Sequence, residues 1–187
     1  MKKQLSLLIL FVFLIACKSK TLAIRENTTA ILHTILKENL TACLDKKTVD
    51  EHDASPKEII EHLSHNFNLL KETNTQNPFF INNDQVIDEK LLKQLNKQTF
   101  TWQKKEWTQK EVLPFKNLQH LKIGNKDACK RSYNIRISEP IYSKNRKKAL
   151  VLFSKSKSGI GSTTILFLKK ENNEWLIKGQ APIGTIG

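Results

Sequence analysis

Ala149-Leu150-Val151-Leu152-Phe153, Thr163-Thr164-Ile165-Leu166-Phe167-Leu168 and Trp175-Leu176-Ile177-Lys178 decide how this chain folds. The three short apolar runs are rich in β-branched and aromatic residues. A polar Ser/Lys/Gly segment, Ser154–Ser162, separates the first two, and Lys169–Glu174 separates the last two. That is the pattern of an antiparallel meander. Asn172-Asn173 can supply both positive-φ residues of a tight hairpin turn, because Asn tolerates the left-handed region. The runs are apolar at successive positions, so both faces of these strands need cover. The N-terminal half offers helices to provide it.

Upstream, Tyr133, Ile135 and Ile137 alternate with Asn134, Arg136 and Ser138, as in a half-buried strand. Pro140 marks a bend or an edge, and Lys144–Lys148 a charged hairpin turn. Asn27-Thr28-Thr29 caps a predicted helix to about Leu44, with Ile31, Leu32, Ile35, Leu36, Leu40, Cys43 and Leu44 on one broad face. Ser55-Pro56-Lys57-Glu58 opens a second helix with a capping box and Pro at the first helical position. It carries Ile59, Ile60, Leu63 and Phe67, and the two helices are expected to pair and cover the sheet. Asp84–Asn96 reads as a shorter third helix, Phe100–Trp107 as a strand, and Thr108–Glu111 as a further capping box. Trp175 begins the closing strand and is expected to be buried against helix residues such as Ile35 or Leu63. The fold class is α+β: N-terminal helices packed on a C-terminal antiparallel sheet of four or more strands.

The chain opens with a charged, apolar leader. Lys2 and Lys3 precede Leu5–Ala16, an apolar run broken only by Ser6. That run is short for roughly 30 Å of hydrocarbon and has the length of a signal-peptide core. It closes on Leu14-Ile15-Ala16-Cys17, which resembles the lipobox of bacterial lipoprotein precursors. The resemblance implies cleavage between Ala16 and Cys17, with lipid on the thiol and the new amine of Cys17. One acyl chain holds a protein only marginally; two or three, at about 0.8 kcal/mol per buried CH₂, anchor it. Lys18, not aspartate, follows the cysteine, which by analogy with such precursors favours the outer membrane. The resulting division is residues 1–16 signal peptide, 17–27 lipidated tether and 28–187 a single domain.

Cleavage would remove Lys2 and Lys3 from the 31 basic residues, leaving 29 against 18 acidic ones, a net charge near +11. Such a charge suits nucleic acid, anionic lipid or acidic glycan, and an envelope protein is a further candidate partner. It also follows from a lysine- and asparagine-rich composition spread over a solvated surface. An envelope location excludes nucleic acid as a partner. Cys43 and Cys129 have the compartment for a disulfide, or serve as two small buried hydrophobes.

The segment from Ile137 to Ile177 resembles the C-terminal part of uncharacterised small bacterial lipoproteins, through Ser138-Glu139-Pro140-Ile141, Ser143-Lys144, Lys147-Lys148-Ala149-Leu150-Val151 and Lys169–Ile177. Those motifs are structural. The closing strand also resembles the nuclear-transport-factor-2-like class, cones of helices and curved sheet. That likeness implies a cavity between sheet and helices for an enzyme or a small-ligand carrier.

Glu58, Glu61, His62 and His65 fall at i,i+3 and i,i+4 spacings that can gather metal ligands on a helix, or line a solvated face. Ser154-Lys155-Ser156-Lys157 matches the Ser-x-x-Lys of penicillin-binding enzymes, but in a hairpin, without a following Lys-Thr-Gly. Trp102, Lys104, Lys105 and Trp107 interleave aromatics and bases, for surface contact or for packing under the helices. No catalytic set and no cofactor motif emerges. The sequence reads as an envelope lipoprotein whose domain binds a partner or ligand.

Overall fold

The computed structural model describes residues 24–48, 56–73, 91–93, 106–112, 121–124, 129 and 132–186. Helix α1 covers 24–36. Strand β1 (Cys43–Asp45) and helix α2 (Pro56–Thr73) follow, then helical residues 91–93 (α3), helix α4 (Gln109–Val112) and strand β2 (Lys122–Gly124). Strands β3 (Asn134–Ile137), β4 (Ile141–Tyr142), β5 (Lys148–Lys157), β6 (Ile160–Glu171) and β7 (Glu174–Ile186) complete the chain. They form one seven-stranded sheet in the order β2-β1-β3-β5-β6-β7, with β4 continuing alongside β5. The α+β architecture and its C-terminal meander are therefore present.

Successive residues of a strand point to opposite faces. The cross-strand pairs Ala149↔Leu168 and Val151↔Leu166 look one way, and Leu150↔Phe167 and Leu152↔Ile165 the other. The first set joins a core with Ile31, Leu32, Ile35 and Leu36 of α1, Trp107 and Trp175. The second joins Ile59, Ile60 and Leu63 of α2, and Leu91 and Leu92 of α3. The two long helices do not pair as a single cover; one serves each face. Trp175 is 3 % exposed and shares its core with Ile35, while Leu63 belongs to the opposite face.

Helix α1 differs from expectation at both ends. It has begun by Ile24, so Asn27 lies inside it and is not its cap. It ends at Leu36. There Asn39 donates its backbone N–H to the Leu36 carbonyl, 2.9 Å, and its side-chain amide to that of Ile35, 3.0 Å. These bonds satisfy carbonyls that a helix end leaves open. Cys43 and Leu44 are strand, not helix. β1 pairs in parallel with both β2 and β3, and the Cys43 N–H reaches the Tyr133 carbonyl at 2.7 Å. A disulfide joins Cys43 to Cys129, 86 residues on.

The Ser154–Ser162 loop is also absent as such. β5 runs to Lys157 and β6 starts at Ile160, around a turn with positive φ at Ser158 and Gly159. Asn172 and Asn173, both at positive φ, turn β6 into β7. Such turns match the twist of the strands they join. Gly161 is obligatory for another reason: a Cβ there would collide with the Lys155 carbonyl and Ser156. Between β3 and β4, the Ser138 hydroxyl takes over a missing ladder acceptor. Its Oγ receives the Leu152 N–H at 2.9 Å and donates to the Glu139 carbonyl at 3.0 Å. This carries the chain past Pro140 without leaving buried backbone unpaired. β7 is irregular where it passes Phe167/Leu168 and Thr163/Thr164, and it contains Pro182.

The segments 74–90, 94–105 and 113–120 lie outside the described residues. So do most of the expected third helix, the Phe100–Lys105 part of the expected strand, and Trp102. Trp107 is 1 % exposed and donates its indole N–H to the Ile137 carbonyl at 3.1 Å. Glu111 receives both the Thr108 N–H (3.0 Å) and its hydroxyl (2.8 Å) at the start of α4.

Two stability predictions follow from this packing. Trp175→Ala should cost about 3–5 kcal/mol in a denaturant melt, the range for a large buried aromatic; a loss under about 1 kcal/mol would show that the indole does not hold α1 to the sheet. Reducing the Cys43–Cys129 bridge should lower the melting temperature, because so long a closed loop is worth roughly 4–5 kcal/mol. Cys129→Ala should reproduce that drop and be insensitive to reductant.

Candidate functional site

The two ends of the sheet carry different chemistry, and α1 runs from one to the other. Near its start, Asn27 accepts at Oδ1 from the Lys170 ammonium (2.9 Å) and the Trp175 indole N–H (3.3 Å). Thr28 shares a 3.0 Å hydrogen bond with the Tyr142 hydroxyl, and the Tyr142 and Trp175 rings lie 6.0 Å apart, tilted by 58°. Nearly two turns on, the Thr34 hydroxyl donates to the Trp175 carbonyl at 3.0 Å, with the Ala30 carbonyl a competing acceptor at 3.1 Å. Beyond the end of the helix, Asn39 Oδ1 accepts from Lys155, 3.1 Å away, near the Ser158-Gly159 turn. The start of the described chain thus sits at the end of the sheet carrying the Asn172-Asn173 and Lys144–Lys148 turns.

That end is basic. The β4–β5 turn presents Lys144, Arg146 and Lys147, shaped by Asn145, whose Oδ1 accepts from the Ser143 hydroxyl (2.8 Å) and the Lys147 N–H (3.1 Å). Lys148 and Lys169 stand directly opposite each other across β5–β6, an arrangement that repels. Glu171 relieves part of it: Lys169 and Lys178 reach its carboxylate at 2.8 and 2.9 Å. Hydrogen bonds from those two ammoniums hold the Glu171 carboxyl below the usual carboxylate range. Lys144 and Lys147 are exposed. The patch can receive an anion or a negatively charged surface.

The opposite end is mixed. Tyr133, 46 % exposed, lies under the Lys155 and Lys157 ammoniums, 5.0 and 5.2 Å from its ring centre, within cation–π range. Ile160, on the same hairpin, is 74 % exposed. A third feature is an open cleft of about 370 Å³ beside α4 and the β1–β2 edge, bounded by Lys46, Glu106, Trp107, Thr108, Leu121 and Ile123. It lies beside the sheet edge and not between the sheet and the two long helices.

Ala16 and Cys17 lie outside the described residues, as do Lys104 and Lys105. Glu58, Glu61, His62 and His65 all sit exposed on α2, and Glu61 pairs with Lys57 at 3.6 Å. Among the described residues no group of three or more His, Cys, Asp or Glu side chains is placed to hold a metal. Ser154 and Lys157 are three apart in an extended strand and so face opposite ways; the buried Ser154 hydroxyl meets Thr163 at 3.4 Å. The Ser-x-x-Lys geometry, which needs a helical turn, is not formed. Among the described residues no helix is long and apolar enough to cross a membrane. The basic end was invisible as a unit in the sequence: its residues come from two turns some 25 positions apart, and only the β5–β6 register brings them together.

No protein family, characterised protein or solved structure matches this chain in comparison.

Tyr142 gives this end a measurable signature. Burial pushes its phenol up from 10.0 to about 12, against the pull of the Thr28 hydrogen bond. A group raised in the folded state contributes stability below its unfolded value and loses it as pH climbs through the folded one. The wild type should therefore lose stability between about pH 10 and pH 12 more steeply than Tyr142→Phe. At neutral pH the variant should be weaker by about 1 kcal/mol, the usual worth of one hydrogen bond. Parallel pH profiles of the two melts would refute this ionisation.

Proposed function

We propose that this chain is a lipid-anchored protein of the bacterial envelope, tethered through Cys17, whose α+β domain binds a partner at the membrane. The observation that carries the reading is the leader: a Lys2-Lys3 start, a signal-length apolar core and the closing Leu14-Ile15-Ala16-Cys17 box. The Cys43–Cys129 bridge supports it, since disulfides persist in oxidising compartments outside the cytoplasm. The strongly basic composition supports an anionic lipid, a glycan or an acidic envelope protein as the contact. Lys18 after the cysteine favours the outer membrane.

Expression in a bacterium fed an alkyne fatty acid tests the anchor. The wild type should incorporate label and run at the size expected after loss of 16 residues. Cys17→Ser should do neither. Equal labelling of both chains would overturn the reading.

A further inference from the structure

We infer that the basic end of the sheet, Lys144, Arg146, Lys147, Lys148, Lys169 and Lys170, is a seat for the phosphate headgroups of anionic phospholipid, and that it orients the domain end-on to the bilayer. The inference rests on lipid anchorage at Cys17.

Geometry supplies the first argument. Lys170 is bonded to Asn27 and Lys155 to Asn39, which fixes the direction of α1 along the sheet. The chain therefore enters the domain at the basic end. Six residues lie between Cys17 and Ile24, and fully extended the seven steps span at most about 25 Å. An anchored domain thus keeps its basic end beside the bilayer. β5, at about 3.3 Å per residue, carries the Ser158-Gly159 turn and its neighbours Tyr133, Lys155 and Lys157 roughly 30 Å further away.

Charge supplies the second. Lys148 and Lys169 face each other across the ladder, and the adjoining turn adds Lys144, Arg146 and Lys147. The Glu171 carboxylate is engaged by Lys169 and Lys178, and Glu139 lies close enough to act, with Arg146, on Tyr142. Glu26 and Glu174 also lie at this end, so the surface is basic by excess and not uniformly. Headgroup phosphates offer the counter-charge in a plane, and a surface-held lysine is worth about a fivefold gain in partition to an anionic membrane at moderate salt. Screening confines that attraction to about 8–10 Å, a gap the short tether can close. A soluble anion would gain nothing from the coincidence of anchor and patch; a lipid surface gains from both.

The test is amine footprinting of the full lipidated chain in vesicles. Vesicles of phosphatidylcholine alone, or with a third phosphatidylglycerol, are treated with a membrane-impermeant amine-reactive ester, and modified lysines are read by mass spectrometry. In the anionic vesicles, Lys144, Lys147 and Lys169 should be modified several-fold more slowly than in the neutral ones. Lys155 and Lys157 should react equally in both, and high salt should abolish the difference. Lys144→Glu combined with Lys147→Glu changes two exposed side chains in a turn; it should leave the melt unchanged and remove the protection of Lys169. If the chain floats with both vesicle types yet Lys144 and Lys147 react equally, the seat is refuted while the anchor stands. If it floats with neither, the anchorage fails and the inference with it.

Discussion

Between Lys148↔Lys169 and Phe153↔Thr164, the β5–β6 ladder turns apolar side chains to both faces of the sheet, and neither face can be left wet. This requirement sets the layered arrangement. Ala149, Val151, Leu166 and Leu168 demand α1; Leu150, Leu152, Ile165 and Phe167 demand α2 and α3. Each face buries several aliphatic side chains at roughly 1.5–3 kcal/mol apiece. Helical stability in proteins comes mostly from packing an amphipathic face, and the ladder gives the apolar stripe of each helix somewhere to go.

Away from the ladder, other contacts limit how the layers can slide. Trp175 fixes α1 in register through packing, its indole bond to Asn27 and the Thr34 bond to its carbonyl. Trp107 fixes the β3 side of the same core by reaching the Ile137 carbonyl. The Cys43–Cys129 bridge adjoins the parallel pairing of β1 with β3, which joins residues some 90 positions apart and has no short turn to bring it about. Ser138 lets one partner of β5 bend without leaving the Leu152 N–H unsatisfied.

The meander and the two-sided burial were legible because they are local: runs of β-branched and apolar residues, and an Asn-Asn turn. The start of α2 at Pro56 and the Thr108–Glu111 cap were legible for the same reason. What escaped was non-local. Cys43 and Leu44 fit the helical period of α1, and only the partners of β1, which lie far along the chain, make them strand. Ser154–Ser162 looked like a loop because these strands outrun their helical cover and turn polar where water reaches them. That the two helices would pair as one cover was an economy of topology, not a signal in the residues. The basic end could be counted in the composition but not located, since it depends on strand register.

β7 is the last strand in the sheet order, and along much of its length its outer backbone groups face away from the described sheet. A long strand in that position is a template on which another copy could add. Two features spoil it. The irregularities opposite Phe167/Leu168 and Thr163/Thr164 break the regular spacing of donors and acceptors, and Pro182 contributes no N–H at all. A neighbouring copy could match only a few residues before losing step. The domain can therefore be crowded at high local density without its sheets merging into a continuous fibril.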